Sequence, residues 1–169
     1  DALPILLHTL LYSDTVSAEE LLVWHRRFDK VVGFISGGAA PTTVLEQRAM
    51  PGAMSRLRVG FLSPDFRRHP VGDFTDQLFE HYDRSQLEVI CYHDSVVDDD
   101  VSAKLAAHAT GWIKTSGLND DELAAWIASD RLDLLIDLAG HTGLRLRLFA
   151  RRLAPVQATW LGYPATTGL

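Results

Sequence analysis

The sequence predicts an α/β fold, a Rossmann-like doubly wound parallel sheet preceded by a short helical segment. Three observations carry that prediction. From Leu57 onward, short β-prone runs alternate with amphipathic helical stretches, the signature of parallel strands joined by crossover helices. Ahead of that point, apolar residues recur at helical spacing. Between the two, Gly37 to Ser55 is rich in Gly, Ala, Pro and Thr, which suits a linker or a strap across a surface. The chain therefore divides into a helical connector over 1–36, a linker over 37–55 and a Rossmann-like unit over 56–169.

Within the connector, residues 4–12 and 17–32 read as helices. Ser17 caps the second ahead of Glu19 and Glu20, and Leu21, Leu22, Trp24, Phe28 and Val32 run down one side. The first strand is Leu57 to Leu62, followed by a helix near 72–82; the second is Leu87 to Tyr92, with a helix near 99–109. A short third strand spans Trp112 to Lys114. The helix at 119–129 opens on Asn119 as cap, with Asp120, Asp121 and Glu122 against its positive end. The fourth strand, Leu132 to Leu138, is the clearest. It leads into Ala139-Gly140-His141-Thr142-Gly143, a helix near 144–152 and a last strand over Val156 to Trp160.

Composition bounds the function. With 47% apolar and 22% charged residues among 169, the chain is of ordinary globular type. A net charge of −6, with no basic cluster longer than a pair, argues against a nucleic-acid partner. No apolar stretch approaches the roughly 20 residues of a membrane span, and no signal peptide is recognisable at the start, so no membrane partner is expected. The single cysteine, Cys91, reads as a small buried hydrophobe, excludes an internal disulfide and suits a reducing compartment. A cytoplasmic protein is the expectation, and both ends of the chain read as cut.

In an open α/β sheet, ligands bind beyond the carboxyl ends of the strands, at the crevice where crossovers part to opposite faces. Three loops qualify: Ser63 to Pro70, Gly140 to Gly143, and Leu161 to Gly168. With the usual doubly wound order, the first and fourth strands are adjacent, and Asp65, His69, His141 and Thr142 converge. Asp65 serves equally as a cap of the turn or of the next helix. His141 alternatively packs at the strand end, although glycine on both sides of His-Thr suggests close approach of a ligand rather than room for a large neighbour. Gly162 and Gly168 are either simple turn residues or part of the site. His25, His81, His93 and His108 read as surface or satisfied structural groups. Asp98-Asp99-Asp100 reads as a charged helix start, because consecutive residues point in different directions. Zinc spacing, a phosphate-binding loop and a dinucleotide fingerprint are all missing from the sequence.

At these loops the chain resembles a known family. Leu57-Arg58-Val59-Gly60-Phe61-Leu62-Ser63-Pro64-Asp65-Phe66, His69-Pro70, Gly140-His141-Thr142, and the long block from Ala154 through Trp160-Leu161-Gly162-Tyr163-Pro164 to Gly168 are similar to O-GlcNAc transferases and their plant SPINDLY-type relatives. More loosely, His8-Thr9-Leu10-Leu11-Tyr12 resembles the histidine-bearing segment ahead of their catalytic core. The resemblance implies the N-terminal half of a two-domain GT-B catalytic region. It implies inverting transfer of N-acetylglucosamine from UDP-GlcNAc to Ser or Thr hydroxyls of proteins, with no cofactor and no metal ion. His69 then matches the histidine proposed as proton acceptor and Asp65 a nearby acid. Leu161, Gly162, Tyr163 and Pro164 match the loop against the sugar; His141, Thr142 and His8 are matched as binding residues. The diphosphate is held in the family mainly by a lysine and a helix N-terminus in the other catalytic half, which follows Leu169, and the family's helical, TPR-like repeats precede the connector. The expected partners are therefore UDP-GlcNAc, protein acceptors and that C-terminal half. The alternatives are a related transferase using GDP-fucose or UDP-glucose, and a non-catalytic binding module of the same fold.

Overall fold

The computed structural model describes residues 2–35 and 56–169, so the linker expected over 37–55 lies outside the described residues, as do Asp1 and Ser36 at the connector's limits. Two helices come first, α1 (Ala2–Leu10) and α2 (Ala18–Ile35). The strands are β1 (Leu57–Ser63), β2 (Leu87–His93), β3 (Gly111–Lys114), β4 (Leu134–Asp137) and β5 (Val156–Thr159). Between them lie α3 (Pro70–His81), α4 (Asp100–His108) and α5 (Asp120–Ser129).

The helix starts follow local chemistry. Asp99 and Ser102 cap one another's backbone at the head of α4, and Asn119 and Glu122 do the same for α5. The Asp98-Asp99-Asp100 run is thus a helix start: Asp99 caps, Asp98 pairs with Lys114, and Asp100 with Arg68. At α3, Pro70 occupies the first turn, where its missing N–H costs nothing, and the His69 side chain caps Val71.

All strand pairs are parallel, in the order β3-β2-β1-β4-β5. This is the doubly wound arrangement expected, with β1 and β4 side by side. Strand residues alternate between two cores. Val59, Phe61, Val89, Cys91 and Leu105 lie with Phe66, Val71 and Phe79 on the α3/α4 side. Leu62, Ile90, Tyr92, Leu123, Ile127 and Leu135 lie on the other, where α1 and α2 add Leu7, Phe28 and Val32. The two N-terminal helices are therefore packed onto the sheet through a shared core. The buried stripe of α2 keeps the expected Phe28 and Val32 but departs at Leu22, which is exposed, and at His25, which faces inward. Cys91 is fully buried, and burial pushes its thiol well up, as befits a small hydrophobe.

The segment after β4 departs from expectation. In place of an α-helix near 144–152 there is a 3₁₀ stretch over Leu146–Arg151, preceded by a 3₁₀ turn at Gly140–Thr142. Both ends of the longer stretch are tied down. Arg145, 15% exposed, binds Asp94 and Asp120 and donates to the Leu118 carbonyl. At the other end Gln157 accepts from Leu153 N–H and donates to the Phe149 carbonyl. A 3₁₀ helix rises about 2.0 Å per residue against about 1.5 Å for an α-helix, which lets six residues bridge the two anchors. β4 and β5 are also shorter than expected, since Asp133 instead binds Arg58 N–H and carbonyl ahead of β4, and pairing ends at Thr159.

Replacing Arg145 strands two largely buried carboxylates, Asp94 and Asp120. Arg145→Met is expected to destabilise the fold by about 3 kcal/mol. Arg145→Lys should recover little, because an ammonium cannot reproduce the planar fork of donors. Urea unfolding midpoints of the two variants check this.

Candidate functional site

The carboxyl ends of β1 and β4 lie together, and the loops that leave them abut: a Cβ built on Gly143 would sit 3.9 Å from Pro64 Cδ. In the first loop, Asp65 and His69 are neighbours, with His69 Nε2 4.0 Å from Asp65 Oδ1. Asp65 takes neither of the capping roles open to it. Its carboxylate accepts from the Arg67 guanidinium at 3.0 Å, and the cap of α3 is His69, whose Nδ1 accepts from Val71 N–H at 3.2 Å. Because Nδ1 is an acceptor there, the neutral ring carries its proton on Nε2, on the side of Asp65.

The second loop is shaped by a buried acid that sequence reading passed over. Asp137, 3% exposed at the end of β4, accepts from the Ala139 and Gly140 N–H groups and from the Thr159 hydroxyl. Burial raises its pKa, opposed by those three bonds. Gly140 then takes φ +55, and a Cβ on it would fall 2.3 Å from Tyr163 Cβ. The space beside this glycine is filled by a large neighbour, the Tyr163 ring, contrary to the expectation of ligand approach. Thr142 is exposed, with its hydroxyl donating to the Ala139 carbonyl.

The third loop folds against both. Gly162 N–H donates to the Trp160 carbonyl at 2.8 Å across Leu161, whose φ is +64, a tight turn that a branched side chain adopts only at a cost of about 1–3 kcal/mol. Gly162 is more than a turn residue, since a Cβ there would stand 1.5 Å from the Leu138 carbonyl oxygen. Leu161 and Pro164 face outward, while Tyr163 is buried.

His141 does not join His69. Its ring packs between Phe28 (centroids 4.7 Å apart), Tyr163 (5.1 Å) and His25 (5.3 Å), and its Nε2 binds the Thr167 carbonyl at 2.8 Å. Desolvation lowers its pKa to about 4, and Nδ1 is buried without a partner. His8, partly buried, stacks on Tyr12 and meets the Tyr163 ring edge-on at 6.2 Å. The expected convergence therefore separates into two layers. Asp65, His69, Thr142, Leu161 and Pro164 are at least partly exposed, and His141, Tyr163 and His25 stand buried behind the second and third loops. Beside them a cleft of about 520 Å³ opens between the N-terminal helices and the 3₁₀ segments, lined by Leu3, Phe28, His141, Thr142, Leu144 and Arg151.

Residues 40–169 match the sequence profile of Glycosyl transferase family 41. The chain belongs to this family. It is 34% identical over 119 residues to a probable UDP-N-acetylglucosamine–peptide N-acetylglucosaminyltransferase (SEC) of Arabidopsis thaliana, covering 69% of this chain and 12% of the relative. With the UDP-N-acetylglucosamine–peptide N-acetylglucosaminyltransferase of Caenorhabditis elegans, identity is 39% over 116 residues, covering 67% of this chain and 10% of that one. The chain thus spans about an eighth or less of the curated relatives it matches. An O-GlcNAc transferase mutant of Thermobaculum terrenum superposes with a TM-score of 0.87 at 34% identity, over 99% of this chain and 32% of that one. The α/β fold and the resemblance seen in the sequence are both confirmed.

In this family member, two residues of the site region escaped sequence reading. Asp137 was legible as the acid that ends the clearest strand. Sequence places His25 among surface or satisfied histidines; it is satisfied but fully buried, and its helical spacing with Phe28 and Val32 is the signal for that. Among the described residues one trio, Asp76, Glu80 and His108, has spacing that could hold a metal, but the Lys104 ammonium already pairs with both acids. No described helix is long and apolar enough to cross a membrane.

A histidine whose folded pKa is depressed binds its proton more readily when unfolded, so its stability contribution is lost as the pH falls. For His141 the window runs from the unfolded value of 6.5 down to about 4, and the loss is on the order of 3 kcal/mol. Asp137, with a raised pKa, acts in the opposite sense and costs stability as the pH rises through its folded value. His141→Gln should flatten the acid limb of a stability-versus-pH curve; curves that remain parallel would contradict the assignment. Gly162→Ala is expected to cost about 1–3 kcal/mol in chemical denaturation, because the clash is with backbone.

Proposed function

We propose that this chain forms one wall of the active site of an inverting transferase that moves N-acetylglucosamine from UDP-GlcNAc to Ser or Thr hydroxyls of proteins. Membership of Glycosyl transferase family 41 over residues 40–169 supports this, as does the N-acetylglucosaminyltransferase activity of its relatives. The observation that carries it is the Asp65–His69 pair at the end of β1, beside the loop that leaves β4. Inversion needs the acceptor oxygen in line with the leaving diphosphate and a group to take up the hydroxyl proton.

His69 is our choice for that group. With Nδ1 capping α3, Nε2 already bears a proton, so uptake at Nε2 requires the ring proton to move to Nδ1 and the Val71 bond to open. The Asp65 carboxylate, 4.0 Å away, supplies the negative charge that holds the resulting imidazolium. The backbone of Leu161, Gly162, Tyr163 and Pro164 lies against the sugar. Thr142 borders it, and His141 and His8 act from behind through Tyr163. Diphosphate binding belongs to the other catalytic half, reaction occurs in the cytoplasm, and neither cofactor nor metal takes part.

The test offers UDP-GlcNAc, UDP-glucose and GDP-fucose in parallel to a Ser/Thr peptide, using the full polypeptide that the gene encodes. Transfer from UDP-GlcNAc is expected, insensitive to EDTA, with kcat lowered about 100-fold or more in His69→Ala. Transfer from another donor alone would replace the assigned substrate, and loss of both transfer and donor binding would favour a binding module.

A further inference from the structure

One link between the N-terminal helices and the loops of the sheet is more specific than packing. His25 lies on α2 and Tyr163 in the loop after β5, 138 residues apart, and His25 Nε2 accepts the Tyr163 hydroxyl proton at 2.7 Å. The other ring nitrogen is also placed: Nδ1–H donates to the Leu21 carbonyl at 2.6 Å, which selects the tautomer that leaves Nε2 free to accept. His25 is fully buried and Tyr163 6% exposed, and burial pushes the phenol up to about 12, so it remains a donor.

The same loop meets α2 again at its far end. A Cβ on Gly168, at φ +82, would stand 2.0 Å from the His25 carbonyl oxygen. Between these points, the Thr167 carbonyl accepts from His141, whose ring packs on His25 and Phe28. Tyr163 cannot retreat, because its Cβ and ring lie against Gly140. Leu161 and Pro164 remain on the outer side of a loop held from within.

We propose that His25 is a positioning residue: through its bond to Tyr163 it fixes the 161–168 loop, so that the N-terminal helices set how firmly the donor sugar is held. The inference rests on the reading above, in which this loop lies against that sugar. Removing the bond leaves a buried polar atom unpaired and loosens the loop at one of its ties to α2, which should weaken a donor held by that loop's backbone without altering the reacting groups.

The experiment is a double-substitution cycle in the full polypeptide, with UDP-GlcNAc and a Ser/Thr peptide, recording KM, kcat and melting temperature. His25→Phe and Tyr163→Phe are each expected to raise the donor KM about fivefold, with kcat within about twofold. The double variant should be no worse than the worse single one. His25→Gln, which restores an acceptor near the position of Nε2, should recover most of the donor KM. Additive effects would overturn the proposal, as would a fall in kcat that follows melting temperature at constant KM, since that marks a merely structural histidine. Tyr163→Ala separates the two levels. If it raises the donor KM while His25→Phe does not, the positioning role alone fails. If donor KM is unchanged even in Tyr163→Ala, the loop is not at the sugar, and the site reading falls together with this inference.

Discussion

The buried carboxylate of Asp137 is the constraint on which the site region depends. It ends β4, accepts from two successive N–H groups of the turn that follows, and reaches across to the Thr159 hydroxyl on β5. A buried acid costs free energy unless its lone pairs are used, and these three donors use them. The geometry that satisfies them bends the chain sharply at Gly140 and places His141 inward and Thr142 outward. One group thereby joins the end of β4, the 3₁₀ turn and β5.

Close approach does the rest. Gly140 admits Tyr163, Gly162 admits the Leu138 carbonyl, and Gly168 admits the His25 carbonyl. None of these contacts leaves room for a Cβ without moving backbone or a ring, so the third loop has little freedom against the turn after β4 and against α2. The helices ahead of the sheet are consequently part of the site region's framework. They share its core through Leu7, Phe28 and Val32 and its polar contacts through His25.

Asp65 and His69 stand apart from this inner layer. They are governed by α3, whose first turn uses the His69 ring as its cap. Fixing a histidine by one nitrogen orients the other, and here it also decides which nitrogen carries the proton. Local helix chemistry and the proton uptake proposed for His69 thus compete for the same imidazole.

Much of the fold was legible from residue pattern, because strand alternation and capping residues act over a few positions. The five strands, the Asn119 cap, the charged helix start at Asp98-Asp99-Asp100 and the adjacency of β1 and β4 all follow from such rules. The 3₁₀ stretch at Leu146–Arg151 was not legible, since its form is dictated by Arg145 and Gln157 bonding to distant elements. At the candidate site, sequence anticipated loops that the fold does bring side by side but merged two layers into one: it could not show that His141 turns toward His25 and Tyr163 while His69 stays partly exposed. The sequence alone therefore determined the fold class and the family, because these are written in local periodicity and contiguous motifs. Which side chains meet, which nitrogen bears a proton and which glycine makes room for which ring were decided only by the tertiary structure, because those contacts join residues as far apart as His25 and Tyr163.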